Sequence, residues 1–127
     1  MTPIVILPSG PRSKYRAVPV VIDGVRFDSQ GEATRFGELQ ALERTGAISQ
    51  LRRQVVLKLH VFNGFEIVPI GRYRADFAYL EPDPQQPHVR RVQVFEDFKG
   101  FDTPLGRWKR KHAALEWGAT VRLSRAR

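Results

Sequence analysis

The stretch Val92-Gln93-Val94-Phe95-Glu96-Asp97-Phe98-Lys99-Gly100 reads as an apolar β-strand that ends in charged residues. Residues two apart in a strand share a face, so Asp97 and Lys99 are predicted to point the same way, with Glu96 on the opposite face. Buried ions are costly without partners. The pattern is explained if the carboxylate holds a metal ion and the ammonium faces a substrate phosphate, which is nuclease chemistry.

A second acidic residue lies in the preceding predicted strand, over residues 72–80. Asp76 stands there between aromatic residues, although aspartate is disfavoured within strands. A short proline-rich loop joins this strand to the one over residues 89–99, so the two are expected to pair antiparallel. One admissible register places Asp76 opposite Asp97.

A third carboxylate belongs to the first predicted helix. Ser29 and Glu32 have the spacing of a capping box, and the helix is expected to run to about Arg44, with Gly46 just past its end. At about 100° per residue, Glu32 falls on the apolar side and faces the sheet. That side consists of Ala33, Phe36, Leu39 and Leu42.

Carboxylates that converge in one place repel each other unless a cation lies between them. Mg²⁺ suits such a site, because it takes oxygen ligands from one or two carboxylates together with water and substrate phosphate. It would bind the scissile phosphate and activate water, while Lys99 stabilises the developing charge. The candidate catalytic residues are Glu32, Asp76, Asp97 and Lys99.

Each of these residues also has a structural interpretation. Glu32 can be a helix cap alone. Asp76 can pair with a neighbouring arginine across the strands, and Asp97 with Lys99 can form a simple ion pair on one face. The residues leave these alternatives open.

The rest of the chain predicts an α/β (α+β) fold with a mixed sheet flanked by helices. Asp23-Gly24 is a tight-turn dipeptide in an N-terminal hairpin over residues 18–27. Further strands are expected over residues 54–62 and 120–123. A second helix is expected from Pro104 to before Gly118. Its apolar stripe of Leu105, Trp108, His112 and Leu115 is expected to face the core, and Arg107, Arg110 and Lys111 are expected to project from the other side into solvent.

Composition indicates one domain over residues 1–127 and a polyanionic partner. The chain has 127 residues, 42% of them hydrophobic, and a net charge of +8, which favours nucleic acid. It has no cysteine and no apolar run of membrane-spanning length, so a cytoplasmic protein without a membrane partner is expected. Residues 1–16 are expected to form a flexible basic arm. The predicted backbone-binding residues are Lys14, Arg16, Arg107, Arg110 and Lys111.

The order of helix glutamate, strand aspartate and Asp-x-Lys resembles the PD-(D/E)XK nuclease superfamily. The chain is more closely similar to a small phage-type endonuclease family first catalogued as a domain of unknown function, DUF1064. The matching pieces cover nearly the whole chain. They are Lys14-Tyr15-Arg16, Asp23-Gly24-Val25-Arg26-Phe27-Asp28-Ser29, Glu32-Ala33, Gly46-Ala47-Ile48, Gln54, Ala75-Asp76-Phe77, Glu96-Asp97-Phe98-Lys99-Gly100 and Lys109-Arg110-Lys111.

The resemblance implies a restriction-endonuclease-like αβββαβ core and Mg²⁺-dependent hydrolysis of phosphodiester bonds, with Mn²⁺ as a substitute. It implies that Asp76 and Asp97 are metal ligands, that Phe98 lends its backbone carbonyl, and that Lys99 is the catalytic lysine. Glu32 would be the helix acid that completes this metal site or a second one. The resemblance also adds Lys109 to the nucleic-acid-binding residues.

Two residues have doubtful roles. Gln54 matches a family glutamine that typically precedes proline, whereas Val55 follows it here. Because Glu96 precedes Asp97, the ligand assignment could shift by one residue, but the two-residue period of the strand favours Asp97.

The function expected from the residues and the resemblance is a Mg²⁺-dependent DNA endonuclease of phage or prophage type, acting in the bacterial host cytoplasm. By family analogy, branched or junction DNA, as for Holliday junction resolvases, is the expected substrate, and a homodimer is expected. The alternatives are a non-catalytic basic nucleic-acid-binding module and a basic structural protein with ordinary ion pairs.

Overall fold

A four-stranded mixed sheet with one helix on each face forms the centre of the computed structural model, which describes residues 4–6 and 18–125. The element order α1-β4-β5-β6-α2-β7 confirms the predicted αβββαβ arrangement and the α+β class. The elements are β1 Ile4–Ile6, β2 Val20–Ile22, β3 Val25–Phe27, α1 Gln30–Thr45, β4 Ser49–Phe62, β5 Ile67–Pro82, β6 Arg91–Phe98, α2 Pro104–Trp117 and β7 Thr120–Ser124.

The N-terminal hairpin forms as predicted. β2 and β3 pair antiparallel around Asp23-Gly24, and both turn residues have positive φ, 53° and 74°, as a two-residue hairpin turn requires. β1 adds a third strand, with Ile4 opposite Ile22. The arm predicted over residues 1–16 is therefore paired with the hairpin at residues 4–6. Its remaining residues, with Lys14 and Arg16, lie outside the described part of the chain.

The main sheet has the strand order β4-β5-β6-β7. β5 pairs antiparallel with β4 and β6, whereas β7 pairs parallel with β6 after the crossover through α2. Apolar side chains are buried on both faces of the sheet. Leu39 of α1 packs with Phe77 and Val94 on one face, and Ala113 of α2 packs with Tyr73 and Phe95 on the other.

β5 is longer than predicted, because it begins at Ile67 and continues through Pro69 and Gly71. The first part of β5 pairs with β4 alone, since pairing with β6 covers only residues 77–82. A proline is tolerated where one side of a strand is open, because no neighbouring strand needs its missing N–H. The prediction of a separate strand that starts after Gly71 is therefore wrong.

Both helices begin and end where the sequence predicts. The Ser29 hydroxyl accepts the backbone N–H of Glu32, and α1 ends at Gly46 with φ of 83°. Thr103 caps α2 in the same way, and Gly118 ends it with φ of 60°. Within the described chain, neither helix combines the length and the apolar composition that crossing a membrane requires.

The orientation predicted for α2 is wrong. Leu105, Trp108 and Leu115 were expected to face the core, but they are 64%, 79% and 77% exposed. The opposite side of the helix faces the sheet and contributes the fully buried Ala113. A small residue allows a helix to approach a sheet closely, and here that side also carries Arg110, which has acidic partners next to β6.

Candidate active site

Asp76 and Asp97 face each other across two antiparallel strands. The observed register pairs Phe77 with Glu96, and one further step along the same register places Asp76 opposite Asp97. Both carboxylates are buried, with exposures of 9% and 2%. The sequence offered this pairing as one admissible register, and the observed pairs of β5 with β6 end one step before it.

In β5, the side chains switch from one face of the sheet to the other at Asp76. Ala75 packs in the α2-side core, whereas Phe77 packs in the α1-side core, although residues two apart normally share a face. The neighbouring strand changes face at the same level. Arg53 lies over Phe27 on the α1 side, and Val55 packs on the α2 side. Asp76 therefore lies where groups from both faces of the sheet can reach it.

The backbone of Gln54 explains this change of face. Gln54 lies between Arg53 and Val55, which pair with Phe77 and Ala75, and its φ is 52°. A left-handed conformation is costly for residues other than glycine, and such outliers concentrate at functional sites. The Gln54 side-chain amide donates to Glu32 Oε1 (3.3 Å) and to Asp76 Oδ1 (3.5 Å). Gln54, doubtful from the sequence, thus joins the two carboxylates.

Asp76 receives hydrogen bonds on both oxygens. The backbone N–H of Phe98 donates to Oδ2 at 2.9 Å, and Gln54 donates to Oδ1. Burial raises the pKa of Asp76, and the charge of Asp97 raises it further, while the Phe98 N–H and Lys99 oppose the change. The alternative that Asp76 pairs with a neighbouring arginine is not supported, because no ion pair involves Asp76 among the described residues.

Asp97 has an unsatisfied oxygen. Its Oδ1 is buried and makes no hydrogen bond of ordinary geometry among the described residues. The Tyr73 hydroxyl makes none either, although it lies close enough to Asp97 to lower the pKa of that carboxyl as a weak donor. Burial raises the pKa of Asp97, and Lys99 is the main opposing charge. Arg110 contributes a weaker contact, with its Nη1 3.8 Å from Oδ2. A buried carboxylate oxygen without a donor is unfavourable, and it is explained if a cation completes the site.

Glu32 reaches the site from α1. It is 3% exposed and faces the sheet, as predicted. Its backbone N–H takes part in the helix cap, while its carboxylate meets Gln54 and lies 3.9 Å from Arg53 Nη2. Burial raises the pKa of Glu32 to about 7, and the charge of Asp76 adds to the increase. Capping by Ser29 thus leaves the Glu32 side chain available to the site.

Glu96 has a different role, on the other face of β6. Its carboxylate accepts two hydrogen bonds from Arg35, at 2.7 and 3.0 Å, one from Tyr79 at 2.6 Å and one from Ser124 at 2.8 Å. Although burial opposes it, these donors lower the pKa of Glu96. Its oxygens are occupied, so Glu96 does not share the environment of Asp97.

Lys99 lies just after β6, where its backbone N–H donates to the carbonyl of Ser124 in β7. Its positive charge lowers the pKa of both Asp76 and Asp97. Lys99 is therefore a cation whose charge acts on both aspartates, while its place on the same face as Asp97 stays a prediction.

The predicted backbone-binding residues of α2 divide into two groups. Arg107 and Lys111 are exposed and Lys109 is half-buried. Arg110, in contrast, is turned inward, with its side chain 11% exposed and its Nη2 2.7 Å from Asp102. The expectation that Arg110 projects into solvent is wrong, because Asp102 and Asp97 hold its guanidinium against the sheet.

Sequence reasoning did not identify Arg53 and Tyr73, which contact Glu32 and Asp97 respectively. Neither residue has a local motif. The two-residue period of a strand would place Arg53 and Val55 of β4 on the same face. They lie on opposite faces because Gln54 between them has a left-handed backbone, which the sequence does not show.

The carboxylates of the site meet the requirements of a divalent metal ion only in part. Within residues 4–6 and 18–125, no group of three or more His, Cys, Asp or Glu side chains is arranged to hold a metal ion. Mg²⁺ needs fewer protein ligands, since water and substrate phosphate complete its coordination. The facing carboxylates of Asp76 and Asp97, with the unpartnered Asp97 Oδ1, fit this smaller requirement.

Comparison with known proteins gives one match. A family model described as a protein of unknown function, DUF1064, matches residues 12–125. No curated protein and no solved structure shows significant similarity to the chain.

Proposed function

The chain belongs to the DUF1064 family, and from the geometry of its site we propose that it is a Mg²⁺-dependent DNA endonuclease that hydrolyses phosphodiester bonds. The observation that carries the proposal is the pair of buried carboxylates, Asp76 and Asp97, with an unpartnered oxygen on Asp97 and with the charge of Lys99 acting on both. We also propose membership in the PD-(D/E)XK superfamily, on the order of these residues along the chain.

Asp76 and Asp97 are the residues that hold the metal ion in this proposal, with the Phe98 carbonyl as a further ligand. Bound Mg²⁺ supplies charge neutralisation at the scissile phosphate and makes water more acidic. The Phe98 N–H fixes the rotamer of Asp76 through its 2.9 Å bond. A ligand held in one orientation before the substrate binds need not reorganise during the reaction.

Lys99 and Glu32 act on the reacting groups. The Lys99 ammonium stabilises the negative charge that develops on the phosphate and orients the attacking water. Glu32, linked to Asp76 through the Gln54 amide, accepts a proton or completes a second metal site. Its pKa of about 7 lies in the range where a carboxylate accepts and releases protons at neutral pH.

DNA is the proposed substrate because the net charge of +8 favours a polyanion. Branched DNA and a location in the host cytoplasm are proposed by family analogy alone. A homodimer is also proposed, and the exposed apolar residues at the tip of the β4–β5 hairpin support it as a contact surface between two copies. These are Phe62, Phe65 and Ile67, which are 70%, 96% and 70% exposed.

The function is tested with supercoiled plasmid, linear duplex and a four-way junction, each incubated with Mg²⁺ and with EDTA. We expect cleavage that requires Mg²⁺ and is lost in Asp97→Ala and Lys99→Gln. Arg44→Gln is the matched control, because it also removes one positive charge but lies in the last turn of α1. Salt-sensitive binding without any cleavage would instead favour the non-catalytic nucleic-acid-binding module.

A further inference from the structure

A polar cavity of about 220 Å³ opens beside Glu32, on the α1 side of the sheet. Three arginines from three different strands surround it, and none of them is among the residues expected to bind DNA. It is lined by Arg26, Asp28, Glu32, Arg53, Gln54 and Arg74.

Arg53 is held rigidly at the cavity. Its guanidinium lies 4.3 Å from the centre of the Phe27 ring, and its Nη2 donates to the backbone carbonyl of Arg26. Its Nε is buried and has no hydrogen-bond partner among the described residues. The Arg53 side chain as a whole is 22% exposed and lines the cavity, so its positive charge is presented to a ligand there.

The two other arginines are available to a ligand. Arg74 is exposed and has no carboxylate within 4.0 Å among the described residues. Arg26 pairs with Asp28 at 2.8 Å, but the two side chains are 59% and 54% exposed, and exposed pairs of this kind contribute little. The charges of Asp28 and Glu32 are countered by Arg26 and Arg53, which leaves the charge of Arg74 without a counter-ion.

The positive surface continues from the cavity along the β4–β5 hairpin. Arg74 pairs with Val56 across the ladder, and the next residues on the same face are Arg72 and Lys58, which pair with each other. All three cations are exposed. These exposed cations therefore form a row on one face of the sheet. The cavity lies at the end of this row that is next to the carboxylates.

A larger cavity, of about 470 Å³, lies on the other side of α1 near Phe98 and Ser124. Its best-placed cation, Arg35, already bonds to both oxygens of Glu96 and to Glu38. Arg125 also lines this cavity, which therefore brings two arginines together where the smaller cavity has three.

We propose that Arg26, Arg53 and Arg74 form a phosphate-binding subsite for the nucleic-acid backbone, adjacent to the carboxylates. The subsite receives a phosphate that neighbours the one to be cut, and the rest of the strand runs over Arg72 and Lys58. The position relative to the cut rests on the proposed function, whereas the binding of a backbone phosphate does not.

The test measures binding of a fluorescent duplex in EDTA, where no cleavage occurs, between about 50 and 200 mM salt. We expect Arg74→Gln and Arg26→Gln to weaken binding roughly two- to fivefold. Each should reduce the slope of log K against log salt by about 0.9, the value for one lost phosphate contact. Both residues are exposed, so the variants are expected to fold.

The matched control is Arg44→Gln, which makes the same change of charge. Arg44 lies 12 residues from Glu32 on α1, about 18 Å along the axis. If Arg44→Gln lowers the slope as much as Arg74→Gln, or if neither lowers it, the subsite is overturned. Absence of DNA binding by the unaltered protein would also overturn it.

A second arm separates a backbone phosphate from a free one. Inorganic phosphate is added at constant ionic strength, and the Tm is followed for the unaltered protein and for Arg74→Gln. If phosphate stabilises only the unaltered protein while both bind duplex equally, the cavity is a free-anion site and the backbone assignment fails. A protein that never cuts DNA, yet shows the Arg74 and Arg26 effects, would retain the subsite and lose the proposed function.

Discussion

Glu96 and Asp97 are neighbours in β6, yet their carboxylates lie on opposite faces of the sheet in opposite hydrogen-bonding environments. Glu96 accepts bonds from Arg35, Tyr79 and Ser124, whereas Asp97 Oδ1 accepts none. The Glu96 carboxylate therefore stabilises the fold, whereas burial of the Asp97 carboxylate lowers the free energy of unfolding. Amide substitutions at the two positions should therefore have opposite consequences.

Asp97→Asn should abolish cleavage and leave the fold intact. We expect a loss of activity of at least about 100-fold, because even groups that only orient metal ligands contribute 10- to 100-fold. In EDTA its Tm should equal or exceed that of the unaltered protein, since a neutral amide is less costly to bury than a carboxylate. Plasmid cleavage and thermal unfolding measure the two effects.

Glu96→Gln is the matched control at the adjacent buried position. It removes the charge that pairs with Arg35, and breaking a buried ion pair typically costs about 3–5 kcal/mol. We expect a large fall in Tm, with Mg²⁺-dependent cleavage kept by the folded fraction. If Asp97→Asn were the more destabilising of the two, the assignment of the two carboxylates would be wrong.

Glu32 should make the metal-free protein less stable as the pH rises. Burial raises its pKa to about 7, above its ordinary value of 4.5. Between these values the folded state binds more protons than the unfolded state, so the free energy of unfolding falls with increasing pH. In EDTA, the Tm of the unaltered protein relative to Glu32→Gln should decrease by a few degrees between about pH 4.5 and 7.

The comparison with Glu32→Gln isolates this residue together with its coupling to Asp76, because titrating groups far from the site affect both proteins equally. Glu66→Gln, which removes an exposed carboxylate near the hairpin turn, is the control and should give no such divergence. Parallel Tm curves for the unaltered protein and Glu32→Gln would contradict the prediction.

The sequence predicts those features of the fold and the site that depend on residues close together in the chain. The hairpin turn at Asp23-Gly24, the helix cap Ser29 and the start of α2 at Pro104 were all predicted, because each depends on residues a few positions apart. The two-residue period likewise separated Asp97 from Glu96.

The parts that the sequence did not predict depend on contacts between distant elements. α2 has Leu105, Trp108 and Leu115 on one side, and apolar content favours burial of that side. The sheet instead receives the side with Ala113, which also allows Arg110 to meet Asp102. Hydrophobic periodicity does not show the ion pair between Arg110 and Asp102. Periodicity alone therefore predicted that the wrong side of α2 faces the sheet.

Gln54 provides a test of backbone geometry at the site. Its φ of 52° is costly for any residue with a Cβ, by about 1–2 kcal/mol. Gln54→Gly should therefore be more stable than Gln54→Ala by about 1 kcal/mol, measured by urea unfolding. Both variants lose the amide that joins Glu32 and Asp76, so both should cleave DNA more slowly.

Arg52, two residues earlier in β4, is exposed, and its φ is not positive. At such a strand position glycine is less favourable than alanine by roughly 0.5–1 kcal/mol. The order of stability should therefore reverse between the two positions, with glycine favoured at 54 and alanine at 52. The same order at both positions would show that Gln54 does not have a left-handed backbone.

Gly31 and Gly37 test how closely α1 approaches the end of β6. A Cβ added at Gly31 would lie 2.5 Å from the Phe98 ring, whereas one at Gly37 would meet no atom within 4 Å. Gly31→Ala should lower the free energy of unfolding by about 1–3 kcal/mol, as overpacking does. Gly37→Ala should raise it by roughly 0.5–1 kcal/mol, because alanine is the better helix former.

Since Phe98 stands between Asp97 and Lys99 and its N–H orients Asp76, a displaced Phe98 should also slow cleavage in the folded Gly31→Ala protein. Equal stability changes in the two variants would mean that α1 does not contact Phe98 in this way.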